Sequence, residues 1–497
     1  MTTELQPSPT LAQQTIKGVF WSYLTFIGGK VLTFLSTIIL ARLLLPEQFG
    51  LVGYCLITIQ YLDILNSAGI NNSLIARREN LEEAANAAFA ANILLGLTSF
   101  GLTWVIAPSV AVFFKTEEII PLLRLLGLSL PLSGLGMVPD TLLQRHLRFR
   151  TKLIPEMSKN FIKGLVSIVL AWLGMGVWSL VWGQLAGIFA GTVLAWLLAG
   201  WKPTWRFHSG VTREIATYGF HIVLLEIAGA FRNNVDYLLV GRILGAAALG
   251  YYTMSYRIPE LLIRSVNIVI GKVSLPVMAI AQTDREQLHS FYFGYLRYLS
   301  MIVFPIAVGL AITAPIFIPL FLSQTWNPAI LPTMLVSLAL GIAAVGFIPG
   351  ILYKAIGRPE LLTRLNFIKV PFAVLVLWYT TRWGIIGVAA GQIAIGTFSV
   401  LLDTLVANHI MRYSTGDLLK ALAPTLFSAL VMAAALLIVF RLAPFSGLLE
   451  LTLLVVTGTL VYLVMLWWVD RASVLSGIDL IRRTFLKSRR AIPLEAG

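Results

Sequence analysis

Apolar stretches of about 20 to 30 residues, cut by short polar breaks, run through almost the whole of this 497-residue chain. A helix of about 20 apolar residues crosses the roughly 30 Å hydrocarbon layer of a bilayer with its backbone hydrogen bonds satisfied internally. With 58% hydrophobic and 12% charged residues, there is more apolar surface than a soluble core absorbs. The expected class is an all-α integral membrane protein.

The runs predict about fourteen helices, over 16–45, 49–75, 83–107, 118–139, 155–173, 177–200, 214–240, 247–279, 290–322, 329–353, 361–381, 384–409, 417–440 and 447–469. The first run is longer than a signal-peptide core and reads as a retained helix. With the N-terminus inside, 22 Lys and Arg fall on the cytoplasmic side and 5 on the other, which predicts cytoplasmic termini. The net charge of +14 therefore reads as topology, and nucleic acid is not an expected partner. Cys55 stands alone and the histidines lack ligand spacing, so neither metal nor cofactor is expected. No loop is long enough for a catalytic domain. A secondary transporter rather than an enzyme is expected. The tail carries Val474, Leu475, Ile478, Ile481 and Phe485 among arginines. It lies on the cytoplasmic membrane surface or serves as a solvated topology signal.

The chain repeats itself. Arg42, Leu44 and Gly50 recur 200 residues on as Arg242, Leu244 and Gly250. Gly136, Pro139 and Leu142 recur as Gly346, Pro349 and Leu352, and Gly176, Gly183 and Gln184 as Gly384, Gly391 and Gln392. Six helices per repeat is an even number, so the repeats are parallel, the arrangement of transporters whose two bundles rock about a central site. The expected organisation is a six-helix bundle over 1–200, a cytoplasmic linker over 201–213, and a second bundle over 214–409. Helices 13 and 14 follow over 410–470, and a basic tail over 471–497. Gly183, Gly187 and Gly191, and Gly387 and Gly391, have the spacing that lets helix backbones approach. Pro305, Pro315, Pro319 and Pro371 are expected to kink their spans.

Several short motifs then fall into one pattern. They are Leu40-Ala41-Arg42 with Pro46, Phe49 and Gly50; Gly69 with Leu74, Ile75 and Arg77; Ala107-Pro108 before Phe113-Phe114; and Val138-Pro139 with Gln144, Arg145, Arg148 and Phe149. Gly174 to Leu180 opens the sixth span. The second half adds Asp236, Gly241-Arg242, Gly245, Leu249-Gly250, Tyr252, Tyr256-Arg257, Trp326 and Gly357-Arg358-Pro359. From about 16 to 415 the chain resembles the prokaryotic polysaccharide flippases, Wzx-like transporters of the superfamily that also holds multidrug extruders and the peptidoglycan lipid flippase. The resemblance implies export of prenyl-diphosphate-linked oligosaccharide repeat units to the outer leaflet of a bacterial inner membrane. It implies membrane lipid and that lipid-linked oligosaccharide as partners, and association with polymerase and chain-length proteins, which no residue here carries. A role for helices 13 and 14 in guiding the lipid tail is inferred from the peptidoglycan lipid flippase.

Charges within spans cost about 2.5–3.5 kcal/mol each on insertion scales and are tolerated chiefly beside a cavity or a partner. In 247–279, Arg257, Glu260 and Arg264 fall at i, i+3 and i+7 of an α-helix, on one face, with Asn267 and Lys272 at its edges. Glu226, Asn233 and Tyr237 share a face of 214–240, with Arg232 and Asp236 beside it. Gln60, Asp63, Ser67 and Asn71 share one of 49–75, and Lys30 sits in the first span near Tyr23 and Thr37. The guanidinium fork matches phosphate oxygens. Lys30, Arg257, Arg264 and Lys272 are thus expected at the diphosphate, with Gln60, Asn233 and Tyr237 at the sugars. Tyr23, Tyr54 and Tyr61 are further sugar platforms, weighed against membrane-interface anchoring. Asp63, Glu226, Asp236 and Glu260 are expected as coupling-ion ligands or salt-bridge partners, and Glu260 can equally lock both arginines. Lys163 and Lys369 are read as snorkelling from helix ends.

The rival reading is a cation-coupled multidrug extruder, whose cavity should be acidic or aromatic. Central charges count seven basic (Lys30, Lys163, Arg232, Arg257, Arg264, Lys272, Lys369) against five acidic (Asp63, Glu226, Asp236, Glu260, Asp403). The sign favours an anionic substrate. A membrane glycosyltransferase or polymerase would need catalytic loops that the short outer loops do not offer.

Overall fold

The computed structural model describes residues 28–67, 74, 80–204, 209–442 and 446–476. Tyr23, Asn71 and the tail beyond 476 lie outside them. The described residues form helices and turns, without a strand. In chain order the helices are α1 (28–43), α2 (Pro46–Ser67), α3 (Leu81–Phe114), α4 (Ile119–Leu126), α5 (Ser129–Arg145), α6 (Phe149–Trp172), α7 (Val177–Ala199) and α8 (Ser209–Leu244). Then come α9 (Ala246–Pro259), α10 (Ser265–Ile280), α11 (Arg285–Phe321), α12 (Ile330–Val345), α13 (Phe347–Ala355), α14 (Glu360–Thr380), α15 (Gly384–Met411), α16 (Thr415–Leu442) and α17 (Leu448–Val469).

Ten described segments are long and apolar enough to cross a membrane. Because Glu360–Met411 holds two expected spans, the ten account for eleven of the fourteen. The other three are α1, described only from residue 28, α8, and α6, whose apolar window is broken by Glu156, Lys159 and Lys163. This is a multi-pass all-α membrane protein.

The chain clusters into two compact units, Met1–Thr253 and Met254–Gly497. The boundary falls inside α9, so α8, which the repeat assigns to the second bundle, packs against α2 and α3 in the first unit.

In the first unit α7 lies along α6. A Cβ on Gly187 would stand 2.5 Å from the Lys159 carbonyl oxygen, and one on Gly183 2.8 Å from that of Lys163. The small-residue spacing is therefore a packing seam. Lipid tails are as apolar as leucine, so close backbone approach rather than water exclusion holds such helices together.

The sequence repeat reappears as a reciprocal contact in the same unit. A Cβ on Gly50 would collide with the carbonyl of Ala246, and one on Gly250 with the carbonyl of Pro46. These are the same two positions 200 residues apart, each glycine seated on the partner repeat's helix start. The contact is pseudo-symmetric, and either glycine admits no side chain without moving backbone.

In the second unit α12 packs against α11 and α15, around a core that includes Tyr292, Leu296, Val303, Ile348, Leu352 and Tyr353. Helices α16 and α17 pair with each other and rest on α11, where the Tyr462 hydroxyl donates to the Met301 carbonyl at 2.9 Å. The prolines at 305, 315 and 319 stay within one continuous α11, and Pro371 within α14. After Pro259, Glu260–Arg264 form a π-helical turn.

Candidate functional site

The polar residues of the first unit meet along α2 and α8, which run antiparallel. The Tyr54 hydroxyl donates to the Gly241 carbonyl at 2.9 Å, and farther along, Asn234 Nδ2 donates to Gln60 Oε1 at 3.4 Å and to the Ala230 carbonyl at 2.8 Å. The residue that reaches Gln60 is Asn234, which is buried; Asn233, its sequence neighbour, is exposed. Ala230, Asn234 and Gly241 recur at i, i+4 and i+11, a helical period that marks this inward face.

Asp236 is 6% exposed. Its Oδ1 accepts the Tyr237 backbone N–H at 2.9 Å and its Oδ2 accepts the Tyr252 hydroxyl at 3.0 Å, while the Tyr237 ring stands edge-on to Tyr252. Amide and hydroxyl donors offset part of the cost of burying a carboxylate. Asp63 is half-buried, and Lys30, Glu226 and Arg232 are exposed.

Tyr54 does not serve as a sugar platform. It is fully buried, stacked on Phe114 with centroids 4.0 Å apart, and its ring occupies the space that a side chain at Gly241 would need.

In the second unit the charged segment differs from the single face that α-helical spacing predicts. A π turn bonds i to i+5 and so takes in about one extra residue, which rotates the downstream helix by roughly 100°. Arg264, which α-helical spacing would set nearly in line with Arg257, is therefore turned away from it, although Arg257, Arg264 and Lys272 are all exposed. Within the turn, Arg264 Nη1 contacts Glu260 Oε1 at 2.5 Å, with side chains 65% and 34% exposed. Ile263 of the same turn is buried in the core, and Ser265 Oγ donates to the Leu261 carbonyl at 2.5 Å.

Lys369 does not snorkel. Its Nζ meets Asp403 Oδ1 at 2.5 Å, with side chains only 15% and 7% exposed. The Tyr353 hydroxyl donates to the Asp403 carbonyl at 2.7 Å, and a Cβ on Gly346 would press on Asp403 Oδ2. The sequence held a signal for this pair. Lys369 lies nine residues into α14 and Asp403 eight before the end of α15, so in antiparallel neighbours they stand at the same height.

A family model described as "Polysaccharide biosynthesis protein" matches residues 39–331, more than half of the chain. The chain belongs to this family. A relative described as the succinoglycan biosynthesis transport protein ExoT of Rhizobium meliloti is 26% identical over 507 residues, covering 98% of this chain and 99% of its own length. An uncharacterized membrane protein in the cps region of Klebsiella pneumoniae is 27% identical over 418 residues, covering 81% of this chain and 85% of its own. Among solved structures, the lipid II flippase MurJ in an inward closed conformation matches with a TM-score of 0.72 at 16% identity, over 93% of this chain and 100% of that one. That likeness speaks to the fold. The match to the polysaccharide biosynthesis family takes in Gln60, Asp63, Asp236 and the Arg257–Lys272 segment, and stops short of Lys369 and Asp403.

Proposed function

We propose that this protein is a flippase that exports prenyl-diphosphate-linked oligosaccharide repeat units for polysaccharide biosynthesis. The observation that carries the reading is the segment from Arg257 to Lys272, a membrane-crossing stretch of a polysaccharide biosynthesis protein with Arg257, Arg264 and Lys272 all exposed. Cations within a span persist where they meet a polar cavity or an anion. A diphosphate is a compact anion whose oxygens match the guanidinium fork.

On this reading the two six-helix bundles alternate between inward-open and outward-open states. Arg257, Arg264, Lys272 and Lys30 bind the diphosphate, Gln60, Asn233 and Tyr237 face the sugars, and the prenyl chain stays in lipid. Asp63, Glu226 and Asp236 are the groups through which an ion gradient would act. The chain sits in the bacterial inner membrane with both termini cytoplasmic and works beside a polymerase and chain-length proteins.

Flipping of a prenyl-diphosphate oligosaccharide by reconstituted protein tests this. Arg257→Gln and Arg264→Gln are each expected to abolish flipping while leaving the melting temperature within a few degrees of wild type. Full activity in both would sink the proposal. Stabilisation of the wild type by cationic dyes and not by the anionic lipid would move the assignment to a multidrug extruder.

A further inference from the structure

Glu260 is an odd residue to find beside an anion-binding arginine, since it engages the guanidinium that the ligand would take. We propose that its carboxylate is an internal stand-in for the substrate's phosphate, holding Arg264 while the carrier is empty and giving way when the diphosphate arrives. The inference rests on the flippase reading and assigns Glu260 as a positioning residue that sets affinity through Arg264.

Three features of the turn support it. First, the pair is accessible: Arg264 is 65% and Glu260 34% exposed, so a ligand reaches it without unpacking the protein. Second, the contact uses Nη1 alone, which leaves most of the guanidinium's five N–H donors for phosphate oxygens. Third, both residues sit in one π-helical turn, Glu260–Arg264, placed directly after Pro259 and pinned to the core by Ile263. Irregular turns of this kind recur at functional sites. A lock would be better served by burial, as Lys369 and Asp403 show at the same 2.5 Å separation with 15% and 7% exposure.

The consequence is a sign. A carboxylate that only locks the helix would weaken anion binding when neutralised, because Arg264 would lose its position. A carboxylate that competes with the ligand would strengthen it.

The test is titration of the purified full-length protein in detergent with farnesyl diphosphate, followed by calorimetry, with melting temperatures taken in parallel. Glu260→Gln is expected to bind about twofold more tightly than wild type, the scale of one exposed i,i+4 ion pair. Glu260→Asp, whose shorter carboxylate reaches Arg264 less well, should shift binding the same way by less, and guards against misfolding of the first variant. The double variant Glu260→Gln with Arg264→Gln should match Arg264→Gln alone, because Glu260 acts only through that arginine. Binding by wild type with no tightening in Glu260→Gln or Glu260→Asp would overturn this assignment and leave the flippase reading standing. Absence of binding in every variant would overturn both.

Discussion

The second unit contains two intramembrane ion pairs with the same 2.5 Å separation and opposite surroundings. Lys369 and Asp403 are 15% and 7% exposed; Arg264 and Glu260 are 65% and 34% exposed. Distance alone would rank them equal. Burial separates them, because a charge enclosed by protein depends on its partner, whereas one on an open face can be met by another group. The Lys369–Asp403 pair joins α14 to α15, with the Tyr353 hydroxyl on the Asp403 carbonyl adding α13. It ties three helices. Glu260 and Arg264 lie four residues apart on one turn and tie nothing distant together. The fixed pair suits a structural role and the exposed one suits exchange with a ligand.

The largest expected effect is at Asp403. Asp403→Asn leaves the Lys369 ammonium buried without its counter-charge and is expected to cost ~3–5 kcal/mol of stability, read as a large fall in melting temperature and in yield of folded protein. A variant that melts with wild type would show that the pair is not a tie. Next in size is the repair. Replacing both residues, Lys369→Met with Asp403→Leu, removes the charges together, and apolar substitutes of similar volume often equal a buried pair or improve on it by about 1–4 kcal/mol. The double variant should therefore recover most of the stability lost in Asp403→Asn. Failure to recover would mean that the pair acts through its polarity, for instance in transport, rather than through mutual neutralisation.

How much of this was legible in the residues depends on the distance over which each feature is set. Eleven of the fourteen expected spans were, because an apolar run of helical length has few other fates in a bilayer. So was the repeat: Gly50 and Gly250, matched by sequence alone, turn out to sit in reciprocal backbone contacts. The seam of Gly183, Gly187 and Gly191 was readable for the same reason. The charged segment was readable in content and not in geometry, since Arg257, Glu260 and Arg264 suit an α-helical face until the π turn after Pro259 shifts the register. One residue of rotation likewise separates Asn233 from Asn234, within the boundary error of any helix drawn from a hydropathy pattern. The burial of Tyr54 escapes the sequence because nothing local shows that Gly241 leaves room for its ring. Lys369 and Asp403 each stand out as intramembrane charges, and their equal depth joins them only once α14 and α15 are taken as antiparallel neighbours.

Glu260→Gln should change the melting temperature little, since an exposed i,i+4 pair is worth ~0.3–0.5 kcal/mol, and that difference should fade as salt is raised. At 1 M salt the screening length is about 3 Å, comparable to the separation of the charges, for groups that solvent reaches. The penalty of Asp403→Asn should persist under the same conditions, because ions do not enter the packed space between α14 and α15. Melting both variants at low and high salt thus sorts the pairs by environment without reference to transport. Equal salt sensitivity in the two would mean that water reaches Lys369 and Asp403 as freely as it reaches Arg264, and the distinction between tie and stand-in would fall.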